Sequence, residues 1–221
     1  MTRALFEKRL RELHSDLLVL ASLVEKALHD SVEALCNRDL ALSRQVVEQD
    51  AEINRLRYQI EEKCVNTMAT QQPMAADLRD LLAVLFIASE LERMGDHAEG
   101  TARISLMLDA EPLGEPIDRI AQMAEKGQDM LRRSLHAFLH RDAEQARALC
   151  NEDDEVDRLY ESVIHDLITH GARRPGELTR ITYLMWTAHN LERVADRVTN
   201  ICERVIFMVT GQLQEINVSR Y

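Results

Sequence analysis

Apolar side chains fall at Leu10, Leu13, Leu17, Leu20, Val24, Ala27 and Leu28, steps of three and four that trace one stripe along a helix. That stripe predicts a first helix over residues 3–36. Asn37-Arg38-Asp39 interrupts it, and Asp39 offers a side-chain oxygen as N-cap for a second helix over residues 40–69. The inner face of that helix is Leu42, Val46, Ile53, Leu56, Ile60 and Cys64. Pro73 sits where a third helix can begin, since its missing N–H costs nothing in a first turn, and the pattern then runs to about residue 108. Residues 111–116 hold two prolines and a glycine and read as a linker. Beyond it the pattern repeats, with helices over 117–139, 143–169 and 177–210. Arg141-Asp142 stands in the place of Arg38-Asp39, and the Gly- and Pro-containing segment 171–176 is a second breaker.

The repetition extends to particular residues. Leu91-Glu92-Arg93-Met94-Gly95-Asp96 recurs one hundred residues later as Leu191-Glu192-Arg193-Val194-Ala195-Asp196. Upstream, Asp50-Ala51-Glu52-Ile53-Asn54-Arg55-Leu56 is matched by Asp153-Asp154-Glu155-Val156-Asp157-Arg158-Leu159. A repeat this long is a duplicated half rather than a solenoid unit, whose period is roughly 20–50 residues. Three long helices with short turns pack up-down-up. The expectation is an all-α chain, a tandem of two antiparallel three-helix bundles over residues 1–110 and 117–221, joined by the linker. One continuous six-helix bundle is the alternative.

Composition agrees. Seven Gly and four Pro in 221 residues, none of them before residue 73, suit a nearly all-helical protein. With 4% aromatics, the core must be built from aliphatic residues and Met. The longest apolar run, residues 81–88, is far short of the ~20 residues of a membrane span. Arg3, Glu7, Lys8 and Arg9 rule out a secretory signal at the start of the sequence, so a cytoplasmic protein with no direct membrane insertion is expected. Four scattered cysteines form no Cys-x-x-Cys pair and read as free thiols. A net charge of −11 disfavours nucleic acid and anionic lipid and favours protein partners or cations.

The paired acids are the candidate chemistry. Glu92/Asp96 and Glu192/Asp196 are spaced i, i+4, as are Asp153/Asp157, whose first-half counterpart is Asp50/Asn54. Side chains four apart are neighbours on a helix, so such acids repel unless solvated or bridged by a cation. Converging from two helices, they form an oxygen-rich set suited to Mg, Ca, Mn or Fe rather than structural Zn; a merely solvated acidic face is the alternative. Arg93 and Arg193 neutralise the cluster, reach a neighbouring helix, or form surface ion pairs. Gly95, matched by Ala195, reads as a site of close helix packing. No Glu is followed three residues later by His, as ferritin-like di-iron sites require, and no nucleophile elbow or phosphate-binding glycine loop occurs. Catalytic residues are therefore not expected.

Residues 71–79, Gln71-Gln72-Pro73-Met74-Ala75-Ala76-Asp77-Leu78-Arg79, lead on to Glu90-Leu91-Glu92-Arg93-Met94-Gly95-Asp96-His97-Ala98. Together with residues 190–201 they closely resemble the two repeats of the PhoU family, and the resemblance spans the whole chain. It implies two three-helix bundles related by pseudo-two-fold symmetry. It also implies a negative regulator of the phosphate-starvation response, coupling the ATPase subunit of a phosphate ABC transporter to a membrane sensor histidine kinase. Such a protein is cytoplasmic, associates peripherally with those partners and often forms a homodimer. Metal binding through repeated acid motifs carries over to Asp50, Glu92, Asp96, Asp153, Asp157, Glu192 and Asp196, with Fe, Mn, Mg or Zn as the ion. Asn54 stands where many relatives carry Asp, so the second-half site is expected to be the stronger. A carboxylate-bridged, ferritin-like redox or storage protein is the competing reading.

Overall fold

The structure, a computed structural model, describes residues 3–108 and 116–213. These residues are almost wholly helical, in six long helices: α1 (Arg3–Asn37), α2 (Leu40–Gln71), α3 (Ala76–Met107), α4 (Pro116–His140), α5 (Ala143–Arg173) and α6 (Leu178–Thr210). A single 3₁₀ turn, Pro175–Glu177, precedes α6. The helices group as two three-helix bundles, α1–α3 and α4–α6. Most of the linker predicted at 111–116 lies outside the described residues.

The turns show why the halves match. Arg38 and Arg141 both adopt left-handed backbone, with φ of 59° and 53°, a conformation that carries a steric penalty for residues with a Cβ. The aspartate after each arginine offsets that cost. Asp39 Oδ1 accepts from Ala41 N–H and Leu42 N–H at 3.0 and 2.9 Å. Asp142 Oδ1 accepts from Glu144 N–H and Gln145 N–H at 3.1 and 2.9 Å. Each aspartate satisfies orphan donors at a helix start, so one short Arg-Asp sequence makes the same corner twice.

The second turns depart from expectation. Pro73 lies in the turn itself, and α3 starts only at Ala76. Gln72 closes α2 in left-handed conformation, donating its N–H to Met68 O, and Ala75 is also at positive φ; the chain needs those residues to reverse. In the second half α5 continues through Gly171 to Arg173. Gly171 is buried, and an added Cβ would meet Ile181 Cδ1 at 3.3 Å. It is therefore a packing position inside the helix rather than the start of a break. Gly211, with φ 77°, ends α6 as a C-cap.

The first-half core joins Leu17, Leu20 and Val24 of α1, Ile53 and Ile60 of α2, and Leu81, Ile87, Leu91 and Met94 of α3. Its counterpart in the second half includes Met130, Leu131, Leu149, Val156, Val163, Leu191, Val198 and Ile201. The two are continuous, because α3 packs on α6 and α1 on α4. Leu10, Leu42 and Leu56, inward-facing by their sequence spacing, are only half-buried.

The α3/α6 contact is antiparallel: Arg79 Nε reaches Met208 O, Glu90 pairs with Arg197, and His97 meets Asn190. Residue 190 is the repeat of residue 90, and 197 the repeat of 97. The Glu90–Arg197 and Asn190–His97 contacts are therefore one contact exchanged across a pseudo-two-fold axis, which crosses at the level of Met94 and Val194. Among the described residues, no helix is long and apolar enough to cross a membrane.

Candidate metal centre

Asp50 of α2 lies close enough to Glu92, Asp96 and Glu99 of α3 to feel their charge. Gly95 makes this approach possible: a Cβ there would meet Ile53 Cγ2 at 3.1 Å and Asp50 Oδ1 at 3.7 Å. Asp50 is thus drawn against the α3 backbone. Its Oδ2 accepts from Asn54 Nδ2 at 2.7 Å, whereas its Oδ1 is buried with no hydrogen-bond donor among the described residues. Burial, and after it the carboxylates of Glu99, Asp96 and Glu92, push the Asp50 carboxyl from 3.8 to about 6. Glu92 and Asp96 are also raised, by burial and then by a neighbouring acid, Asp96 and Glu99 respectively.

The first-half acids divide between two hollows. Asp50, Asn54 and Glu99 line an open hollow of ≈720 Å³ along α2, while Glu92 and Asp96 face a neighbouring cavity shared with arginines. Arg57 of α2 stands between α2 and the second group, with Nη2 3.8 Å from Glu92 Oε1.

In the second bundle Asp153 is buried on α5 and Asp157 lies half-buried one turn on. Burial, then Asp196, raises the Asp157 carboxyl. Glu192 is only 5% exposed, and burial, then Asp196, raises it too. Here, however, an arginine spans the acids. Arg193 donates Nε and Nη2 to Glu192 at 2.8 and 3.0 Å, and its Nη1 lies 2.8 Å from Asp196 Oδ2. A guanidinium occupies the position a bridging cation would take. Glu192 and Asp196 therefore carry a counter-charge on their own helix, whereas in the first half Arg103 pairs with Glu99 at 2.6 Å and Arg57 stands 3.8 Å from Glu92.

The donor chemistry of the first half is that of a hard cation, carboxylate oxygens from two helices, one of them without a donor, but the oxygens do not meet at one point. Among the described residues, no three of these acids bring ligand atoms within 4.8 Å of one another. The trio that does is His29, Asp30 and Glu33 of α1, an i, i+4 patch whose Asp30 already pairs with Lys26. His97 and His189, the histidines beside the motifs, bond to Asn190 and approach Glu192 at 3.7 Å. Glu99, Arg57 and Glu161 also belong to these sites, beyond the residues that the paired acids pick out. Their signal is the same periodicity carried further: 92, 96 and 99, then 50, 54 and 57, then 153, 157 and 161 each continue one helical face.

Two matching three-helix bundles, with acid clusters between helices at matching points of each half, define a class of helical scaffold protein. The PhoU domain model matches this chain twice, over residues 17–105 and 120–205. A phosphate-specific transport system accessory protein PhoU homolog from Clostridium acetobutylicum is 34% identical over 98% of this chain and 100% of its own length. The corresponding Pseudomonas aeruginosa homolog is 35% identical over 93% and 86%. The crystal structure of PhoU from Pseudomonas aeruginosa superposes with a TM-score of 0.89, covering 94% of this chain and 100% of that one at 34% identity. A phosphate transport system regulatory protein PhoU from Streptococcus pneumoniae superposes with a TM-score of 0.87 at 30% identity, covering 95% and 99%. The chain belongs to the PhoU family.

Proposed function

We propose that this protein is an accessory regulator of a phosphate transport system. In this reading it keeps the phosphate-starvation response off by linking the transporter's ATPase subunit to a membrane sensor histidine kinase. The observation that carries this reading is the full-length, two-repeat match to proteins that bear the accessory name. A long, rigid helical surface with a net charge of −11 suits docking to protein partners, and a chain without a spanning helix among its described residues would join membrane partners peripherally. Affinity capture of the tagged chain from phosphate-replete cells is expected to retain both the ATPase subunit and the kinase. Recovery of neither, under conditions that retain the assembled transporter, would remove the adaptor role.

We further propose that Asp50, Glu92 and Asp96 close from their two neighbouring hollows to hold a metal ion when one is bound, with Glu99 beside them, and that Asp153, Asp157, Glu192 and Asp196 bind more weakly because Arg193 competes. When bound, the ion supplies positive charge that satisfies the Asp50 oxygen and ties α2 to α3. Metal titration of chelator-stripped protein should show the tighter site lost in Asp50→Asn and retained in Asp157→Asn. Loss in Asp157→Asn alone would restore the opposite ranking.

A further inference from the structure

Arg93 and Arg193 follow the first acid in each copy of the repeated motif, and the fold brings both to one cavity of ≈570 Å³. Arg57 and Arg197 line the same cavity, with His97 at its side. Arg93 and Arg193 are equivalent under the pseudo-two-fold axis, as are His97 and Arg197. The cavity therefore lies beside that axis, on the first-half side of the α3/α6 crossing, and takes its cations from both halves.

Their donors are incompletely used. Arg197 approaches Glu90 through Nη1 at 3.4 Å, and its Nε is buried without an acceptor among the described residues. Arg57 pairs with Glu61 through Nη1 and stands 3.8 Å from Glu92 through Nη2; its Nε is likewise buried without an acceptor. Arg193 is engaged by Glu192 and Asp196. Arg93 is exposed and makes no ion pair among the described residues. Buried N–H groups without acceptors are rare and costly. Two of them belong to arginines that line this cavity, and a shift of either side chain toward a ligand there would give its Nε an acceptor. Glu92 and Asp96 also line the cavity and oppose an anion, and Glu61, Glu90, Glu192 and Asp196 already pair with Arg57, Arg197 and Arg193, so Arg93 is the guanidinium left without a paired carboxylate among the described residues.

We propose that this cavity binds a phosphate-type oxyanion, held by arginines contributed by both repeats. Guanidinium forks match the oxygen geometry of such ions and donate in pairs. A ligand gripped from both sides would tie the two bundles together at their crossing, which neither half can do alone. It also gives the arginine of the repeated motif a reason to recur that an isolated surface ion pair does not.

The test is calorimetric titration of the purified full-length chain, stripped of metal, with inorganic phosphate and then sulfate at fixed ionic strength. Saturable binding is expected, weakening as chloride is raised. Arg93→Gln, an exposed substitution that breaks no ion pair of the described residues, and Arg197→Gln should each weaken it by about tenfold or more. Arg11→Gln, remote on α1, should leave it unchanged. Titration with ADP separates sources: tighter binding than inorganic phosphate would assign the cavity to the phosphoryl end of a nucleotide, equal or weaker binding to the free ion. Absence of saturable binding by either, or binding that survives Arg93→Gln and Arg197→Gln alike, overturns the assignment. Binding here needs no partner protein, so the outcome is separate from that of the signalling role.

Discussion

Asp50 is the residue on which the carboxylate chemistry turns. Its carboxyl lies at about 6 against 3.8 in a free chain, so without a cation the folded protein holds this proton more tightly than the unfolded chain does. That preference contributes stability at acid pH, and the contribution fades as pH rises from about 4 to about 6. Metal-free protein should therefore melt at lower temperature at pH 7 than at pH 5. Asp50→Asn should flatten this difference and stabilise the metal-free protein at pH 7, by of the order of 1 kcal/mol once solvent screening is allowed for. A divalent cation should raise the pH 7 melting temperature of the natural chain by more than that of the variant, which keeps only the weaker second-half site. An unchanged pH slope in Asp50→Asn would place the effect elsewhere. The acids themselves are legible in the sequence, because helix periodicity fixes which side chains share a face. The bridge from Arg193 to Glu192 and Asp196 is not: a long flexible side chain can lie along its own helix or reach a neighbour, and packing decides. The same freedom hides the meeting of Arg93 with Arg193, which requires knowing how α3 crosses α6.

At the scale of the elements, each corner and each close approach has an identifiable cause. The Arg38-Asp39 and Arg141-Asp142 corners should each lose about 0.5–2 kcal/mol when the capping aspartate is replaced by Ala, measurable by urea denaturation of Asp39→Ala and Asp142→Ala. Equal stability in both variants would show that water replaces the cap without loss. Arg141 does more than turn the chain: its Nη1 lies 2.7 Å from Oδ1 of Asp80, which is only 5% exposed. Arg141→Leu leaves a buried carboxylate unpaired and should cost about 3–5 kcal/mol, well beyond either cap. Gly95 sets the α2/α3 spacing. Gly95→Ala needs Ile53 to yield by a few tenths of an ångström while gaining helix propensity, and should change stability by less than about 1 kcal/mol. Gly95→Leu should separate the helices and destabilise strongly; thermal melts distinguish the two. Helix number and most boundaries are readable from apolar steps and caps. The start of α3 falls at Ala76 rather than Pro73, because a proline suits a turn as well as a first helical position. Gly171 belongs to α5 rather than to a break, because a glycine inside a helix and one at its end look alike until the neighbouring helix is known.

At the scale of the whole molecule, duplication is the organising fact. Copies related by a pseudo-two-fold axis pack α3 against α6, fuse two small cores into one, and hold similar surfaces at matching points. That gives a stiff body able to present related faces to two partners at once, as a link between a transporter and a kinase would require. Two-fold repetition is visible in the sequence through the recurring Glu-Arg motif, but the sharing of the core is not, since apolar stripes do not say which stripe they meet. The most direct test is alkaline phosphatase activity in a strain deleted for this gene and grown with abundant phosphate. High activity, returned to the repressed level when the gene is supplied, is the predicted result. Full repression in the deleted strain, with no other copy of the family present, would contradict the regulatory role.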